Sequence, residues 1–159
     1  MNSGRFWLIA AVLAGTAFIV SPGCGSGTSA PCSTCPAIEG TYELEFAPGA
    51  LPADCTAIGV QLPRGPLEIE RTGPNLSASL DGVALSGTLF QSYDFTLLSS
   101  SGPGDGGTDT FTLNGRYIPQ VTDGGTAQLT GTFSGNYSRT PPQGTRRCTL
   151  TRSYTATQE

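Results

Sequence analysis

Downstream of residue 38, apolar and polar residues alternate with a period of two, and they do so repeatedly. In 41–46, Tyr42, Leu44 and Phe46 share one face while Glu43 and Glu45 share the other, the signature of a half-buried strand. The same phase recurs at Leu67 and Ile69; at Leu76, Ala78 and Leu80; at Val83, Leu85 and Leu89; and at Tyr93, Phe95 and Leu97. Three later runs carry glycines on the apolar face or a cysteine at its start. They are Phe111, Leu113 and Tyr117 around Gly115; Leu129, Phe133 and Tyr137 around Gly131 and Gly135; and Cys148, Leu150, Arg152 and Tyr154. Turn-forming residues separate the runs at Gly73-Pro74-Asn75, Asp81-Gly82, 99–108, 121–125 and 140–144. A helical period persists nowhere for more than about a turn. The nearest to one is Leu51 to Ala57, a short helix with Pro52 in its first turn, and Ile58, Val60 and Leu62 offer a short extra strand instead.

Eight one-faced strands joined by mostly short connections, the long exception being 47–66, predict an all-β fold. Such a sheet must close or double over to bury its face and protect its edges. Sequential hairpins, long late strands and Gly87, Gly115, Gly131 and Gly135 on the inward phase favour an eight-stranded antiparallel up-and-down barrel, with a β-sandwich as the alternative. On either plan Glu43, Glu45, Glu68 and Glu70 point to solvent, which removes them as a paired-acid glycosidase centre.

The residues before the strands have a different character. Arg5 is followed by an uncharged run from Phe6 to Val20, shorter than the ~20 residues that span a bilayer as a helix. It reads as a signal peptide. Small residues lead into Gly23-Cys24, which resembles the lipobox of bacterial lipoproteins, although Ser21 stands where that pattern has an apolar residue. The resemblance implies that Cys24 is acylated and becomes the first mature residue. Gly25 after it, rather than an aspartate, implies passage to the outer membrane. The expected organisation is a lipoprotein signal peptide over 1–23, a flexible tether over 24–37 and a barrel domain over 38–159.

Composition narrows the chemistry. All 8 basic side chains are arginines, the net charge is −4, and histidine is absent. Scattered arginines on an acidic chain do not neutralise a phosphate backbone, so nucleic acid is not an expected partner. Without histidine there is no Ser-His, Cys-His or His-ligated metal chemistry, and no enzyme activity, cofactor or metal is expected. The aspartates of 104–109 and 123–125 lack the calcium-loop spacing and read as turn formers. With Cys24 set apart, four of the 5 cysteines remain, and they allow three pairings in an oxidising envelope. First and last strands are neighbours in a closed barrel, so Cys55 is expected to bond Cys148, leaving Cys32 and Cys35 to pair locally. A redox Cys-x-x-Cys site and a four-cysteine zinc site are the alternatives.

Gly40-Thr41-Tyr42 resembles the opening strand of the lipocalin and avidin superfamily of small barrels, with Tyr42 in the place of that superfamily's tryptophan. The run 129–137 is similar to a strand common in avidin-like barrels. The resemblance implies that Arg152 on the last strand packs over Tyr42, so that Gly40, Tyr42 and Arg152 close the barrel. It also implies that the loop 47–66 is a lid. Biotin binding does not carry over, because Trp7, in the leader, is the one tryptophan. An eight-stranded barrel either holds one small ligand or is filled by its own side chains. The first expectation is therefore a lipid-anchored envelope barrel binding a small apolar ligand among Tyr42, Tyr93, Phe95, Phe111, Tyr117, Phe133, Tyr137 and Tyr154. The second is a structural or protein-interaction lipoprotein with a filled barrel.

Overall fold

The computed structural model describes residues 30–99, 103–104, 107–120, 125–142 and 144–159. The leader, Cys24 and the aspartates 105 and 123 lie outside the described residues. Elements follow in the order β1 (Gly40–Phe46), α1 (Ala53–Ala57), β2 (Leu67–Thr72), β3 (Asn75–Leu80), β4 (Val83–Leu89), β5 (Asp94–Ser99), β6 (Pro103–Gly104), β7 (Gly107–Ile118), β8 (Gln128–Arg139) and β9 (Arg146–Gln158).

Among the described residues the sheet has nine strands, of which β6 pairs only with β7. The other eight run antiparallel in the order β5-β4-β3-β2-β1-β9-β8-β7, and a β5–β7 pairing closes the ring. This is the up-and-down barrel, and the sandwich alternative falls. Closure follows from the sequence pattern: each strand has one apolar face, and only a ring leaves that face without an open flank. The connections divide between two ends. The lower end holds residues 30–39 and the β2–β3, β4–β5 and β7–β8 connections. The upper end holds the long β1–β2 segment, the β3–β4 turn and the β8–β9 hairpin.

Two local features have clear causes. Asp81 and Gly82 both take positive φ, 52° and 75°, the two-residue turn whose twist matches its flanking strands. Gly131 stands directly opposite Gly115 in the β7–β8 ladder. A Cβ on Gly131 would lie 2.1 Å from the Asn114 carbonyl oxygen, so the strands approach as closely as they do only because no side chain intervenes.

Some expectations change. The segment 51–57 does form a short helix, α1, but Ile58, Val60 and Leu62 stay outside any strand. Tyr93 precedes β5 rather than opening it. Its φ is 66°, and its N–H donates to the Phe90 carbonyl, so it belongs to the β4–β5 turn. The residues 30–37 of the expected flexible tether are docked on the barrel. Cys32 N–H donates to Leu89 O, Gln91 N–H donates to Ala30 O, and Pro31 bridges to Phe90. Backbone groups of the β4–β5 turn supply this anchorage, which side-chain patterning does not reveal.

Candidate functional site

The barrel interior is the place where a ligand would sit, and ring side chains project into it and pack on one another. Phe133 is fully buried, its ring centroid 5.4 Å from both Phe46 and Phe111, and the Tyr137 ring meets Phe111 at 5.8 Å, tilted by 57°. Phe95 and Tyr154 enter from opposite sides and meet over Gly115. A Cβ there would lie 2.5 Å from the Tyr154 hydroxyl and 2.7 Å from the Phe95 ring. The Tyr137 ring lies over its own neighbour Gly135, 2.6 Å from where a Cβ would be. Beside Gly115 and Gly135 there is no room for an added methyl group, because the rings occupy the space that a side chain would take.

Chain segments also pack across both ends. At the lower end Ile38 is fully buried and the chain crosses beneath the rings. The Tyr42 hydroxyl donates to Ile38 O at 2.7 Å and that of Tyr117 to Ala37 O, while Arg71 pairs with Glu39 at 2.9 Å. The sequence reading missed this plug. Its available signal was the pair of prolines bracketing Cys32 and Cys35, which sit at disulfide distance with Cα atoms 5.7 Å apart and fix a local loop. At the upper end the β1–β2 segment, the lid candidate, packs against β9. Cys55, fully buried in α1, pairs with Cys148 of β9 across 93 residues, with Cα atoms 5.2 Å apart.

The structure does not bring Arg152 to Tyr42. Tyr42 lies opposite Gln158 in the β1–β9 ladder, six positions along the strand from Arg152. Arg152 reaches the lid instead, donating from Nη2 to Ala50 O at 2.7 Å and from Nη1 towards Pro48 O at 3.5 Å. Gly40 closes the ring in another manner, facing Gln158, whose Nε2 donates to Glu39 O at 3.0 Å. A shared face survives in the sequence pattern, but height along the barrel does not. Of the ring side chains expected to meet a ligand, Tyr93 is half-buried in its turn. Tyr42 and Tyr117 hold the plug, and Phe95, Phe111, Phe133, Tyr137 and Tyr154 pack together. Glu43, Glu45, Glu68 and Glu70 are exposed on the outer face, as expected.

Polar chemistry inside is sparse. Among the described residues the buried hydroxyls of Tyr137 and Tyr154 and Nε of Arg152 have no hydrogen-bond partner. Burial holds the Tyr154 phenol well above its ordinary range. It does the same to Tyr42, where Tyr117 and Glu39 add to the effect. Tyr137 is pushed up to about 12 by burial, with Asp109 adding and Arg139 opposing. These neutral phenols fit an apolar interior, and they set an alkaline limit. The folded state holds its phenol protons above the ordinary phenol value of about 10, where the unfolded chain has lost them. Their contribution is therefore complete below about pH 10 and is lost as the pH rises through the folded values. In an alkaline titration, tyrosinate absorbance from these residues is expected to appear together with unfolding. Its appearance while the far-ultraviolet dichroism stays native would contradict the buried assignment.

A second expectation separates the hydroxyls. Tyr154→Phe should leave the melting temperature unchanged or slightly raised, because the group removed is buried and unpartnered. Tyr42→Phe should cost about 1–2 kcal/mol, because it leaves the Ile38 carbonyl without its donor. Equal effects in thermal melts would contradict this division.

No protein-family model, curated protein or solved structure matches this chain.

Proposed function

We propose that this chain is a lipid-anchored protein of the bacterial cell envelope, held in the outer membrane through Cys24, whose packed barrel is a scaffold acting through its outer face and rim. It is not an enzyme on this reading, since a chain without histidine and with its interior filled offers no activated nucleophile or base. The observation that supports the scaffold reading is the packing of rings inside the barrel: beside Gly115, where a guest would need space, the Phe95 and Tyr154 side chains already meet. It favours the filled barrel over the apolar-ligand barrel, which needs an open lumen of some hundreds of Å³. The anchor reading rests on the lipobox-like run ending at Cys24 and on the cysteine count, since the other four cysteines pair among themselves.

Two measurements test the two halves. Native mass spectrometry of the protein purified from its own membranes should show acyl chains but no retained guest. A stoichiometric apolar molecule that survives removal of the lipid-bearing residue would restore the ligand reading. Cys24→Ser should move the protein from the membrane fraction to the soluble fraction, and a variant that still sediments with membranes would count against the anchor.

A further inference from the structure

β9 is longer than β1, and half of one edge is left without a strand beside it, although α1 packs against that half of β9 through the Cys55–Cys148 pair. β1 covers β9 only from Tyr154 to Gln158. One more backbone bond follows, from Ala47 N–H to Ser153 O, and the ladder then stops. The cause is local. Pro48 has no N–H, and Arg152 draws the chain inward over the mouth by binding the carbonyls of Pro48 and Ala50. The bond to Ser153 O shows that odd-numbered β9 residues turn their backbone groups towards β1, while even-numbered ones face β8, as Gln158 N–H to Ala127 O confirms. Above the fork, Arg147, Thr149 and Thr151 therefore aim N–H and C=O groups along an edge where no backbone partner stands among the described residues. Their side chains are exposed. A surface hollow of about 260 Å³ lies at the fork itself, lined by Phe46, Ala47, Pro48 and Ser153 among others.

We infer that this upper edge of β9 accepts an extended segment of a partner protein as an added strand, with acidic side chains on its solvent face. The inference deepens the scaffold reading and rests on it. Main-chain bonding is what an open edge offers, and the side chains beside it choose the guest. The occupant of the lower half indicates the type: β1 lays Glu43 and Glu45 on the outer face beside Thr157 and Thr155. Continued upward, the same outer face meets Thr151, Thr149 and then Arg147. Arg146 and Arg147 are exposed and have no acidic partner among the described residues, whereas Arg139 is held by Asp109. A guest strand with the acid-apolar alternation of β1 therefore finds main-chain groups along its length and a positive charge at its end.

The probe is a synthetic heptapeptide with the sequence of 40–46, offered to the full chain with its disulfides intact and followed by amide hydrogen exchange. Saturable binding that slows exchange at Arg147, Thr149 and Thr151 supports the inference. So does a loss of affinity of about tenfold or more when Arg147→Glu is introduced or when the peptide's glutamates become lysines. Thr151→Pro removes an N–H that the fold leaves unbonded and should abolish binding while Thr151→Val retains it. If the proline variant does not fold, the Arg147→Glu series and the exchange pattern decide. Four results would overturn the inference: no saturable binding, binding indifferent to Arg147→Glu, slow exchange of these amides without peptide, or their protection by a second copy in a dimer. None of these bears on the membrane release of Cys24→Ser or on the absence of a guest in the lumen, so the two readings fail separately.

Discussion

Replacing Cys55 and Cys148 together by alanine is expected to lower stability by about 4–5 kcal/mol and the melting temperature by about 15 °C. The bond joins positions 93 residues apart, so in the unfolded chain it closes a loop spanning about three quarters of the domain. The chain-entropy relation assigns about 4–5 kcal/mol to a loop of that size, and a domain of this length loses a few degrees per kcal/mol. The native state loses something besides. α1 is a single short turn of helix with no side-chain cap, and Cys55 is its buried residue. Without the bond, the lid keeps the Arg152 contacts, the Arg64 N–H bond to Asp81 and the apolar contacts of Leu51, Ile58, Val60 and Leu62. The pair Cys32→Ala and Cys35→Ala supplies the contrast. Its loop spans a separation of 3, for which the same relation gives about 2 kcal/mol. Calorimetry of both double variants checks the ranking, and an equal or reversed order would show that the lid bond is incidental.

Gly131→Ala is expected to cost about 3 kcal/mol or more and to leave much of the protein insoluble. The added Cβ would stand 2.1 Å from the Asn114 carbonyl oxygen and 2.6 Å from Gly115 Cα, both backbone atoms of the neighbouring strand. No rotamer relieves such a clash. The β7–β8 ladder must part at the Gly115–Gly131 pair, in register with Phe95 and Tyr154, and overpacking of that kind lies at the costly end of its range. Gly82→Asn is the control. Nothing lies within 4 Å of a Cβ at Gly82, and asparagine tolerates positive φ, so the change should cost under about 1 kcal/mol. Comparable losses in denaturant titrations of the two variants would mean that the interior is looser than described.

The period-two pattern made the barrel legible because face is a local property: Leu76, Ala78 and Leu80 declare their side whatever lies around them. Strand order was legible because every connection but one is short. Closure, in turn, made the Cys55–Cys148 pairing legible by bringing first and last strands together. Register along the barrel was not legible. Arg152 and Tyr42 share a face, yet the β1–β9 stagger sets them apart and hands Arg152 to the lid. Nor was the docking of residues 30–37, which depends on backbone carbonyls of the β4–β5 turn that any residue would present. Whether the interior was hollow depended on how closely strands approach at Gly115 and Gly131, a distance that alternation does not encode. The candidate site was thus legible as a set of rings but not as a filled or an open space.

The crossing of residues 30–39 beneath the barrel has a mechanical consequence. The chain enters β1 from the lower end, so a pull applied ahead of Ala30 first strains the contacts with the β4–β5 turn and then runs along the axis of β1. Loaded this way, the β1–β9 ladder is sheared rather than unzipped, and its five register pairs, Tyr42↔Gln158 to Phe46↔Tyr154, bear the force together. Resistance to such a pull is governed by the unfolding rate rather than by the equilibrium stability. A barrel tethered at that end would hold its shape under drag that peels apart a hairpin of equal stability.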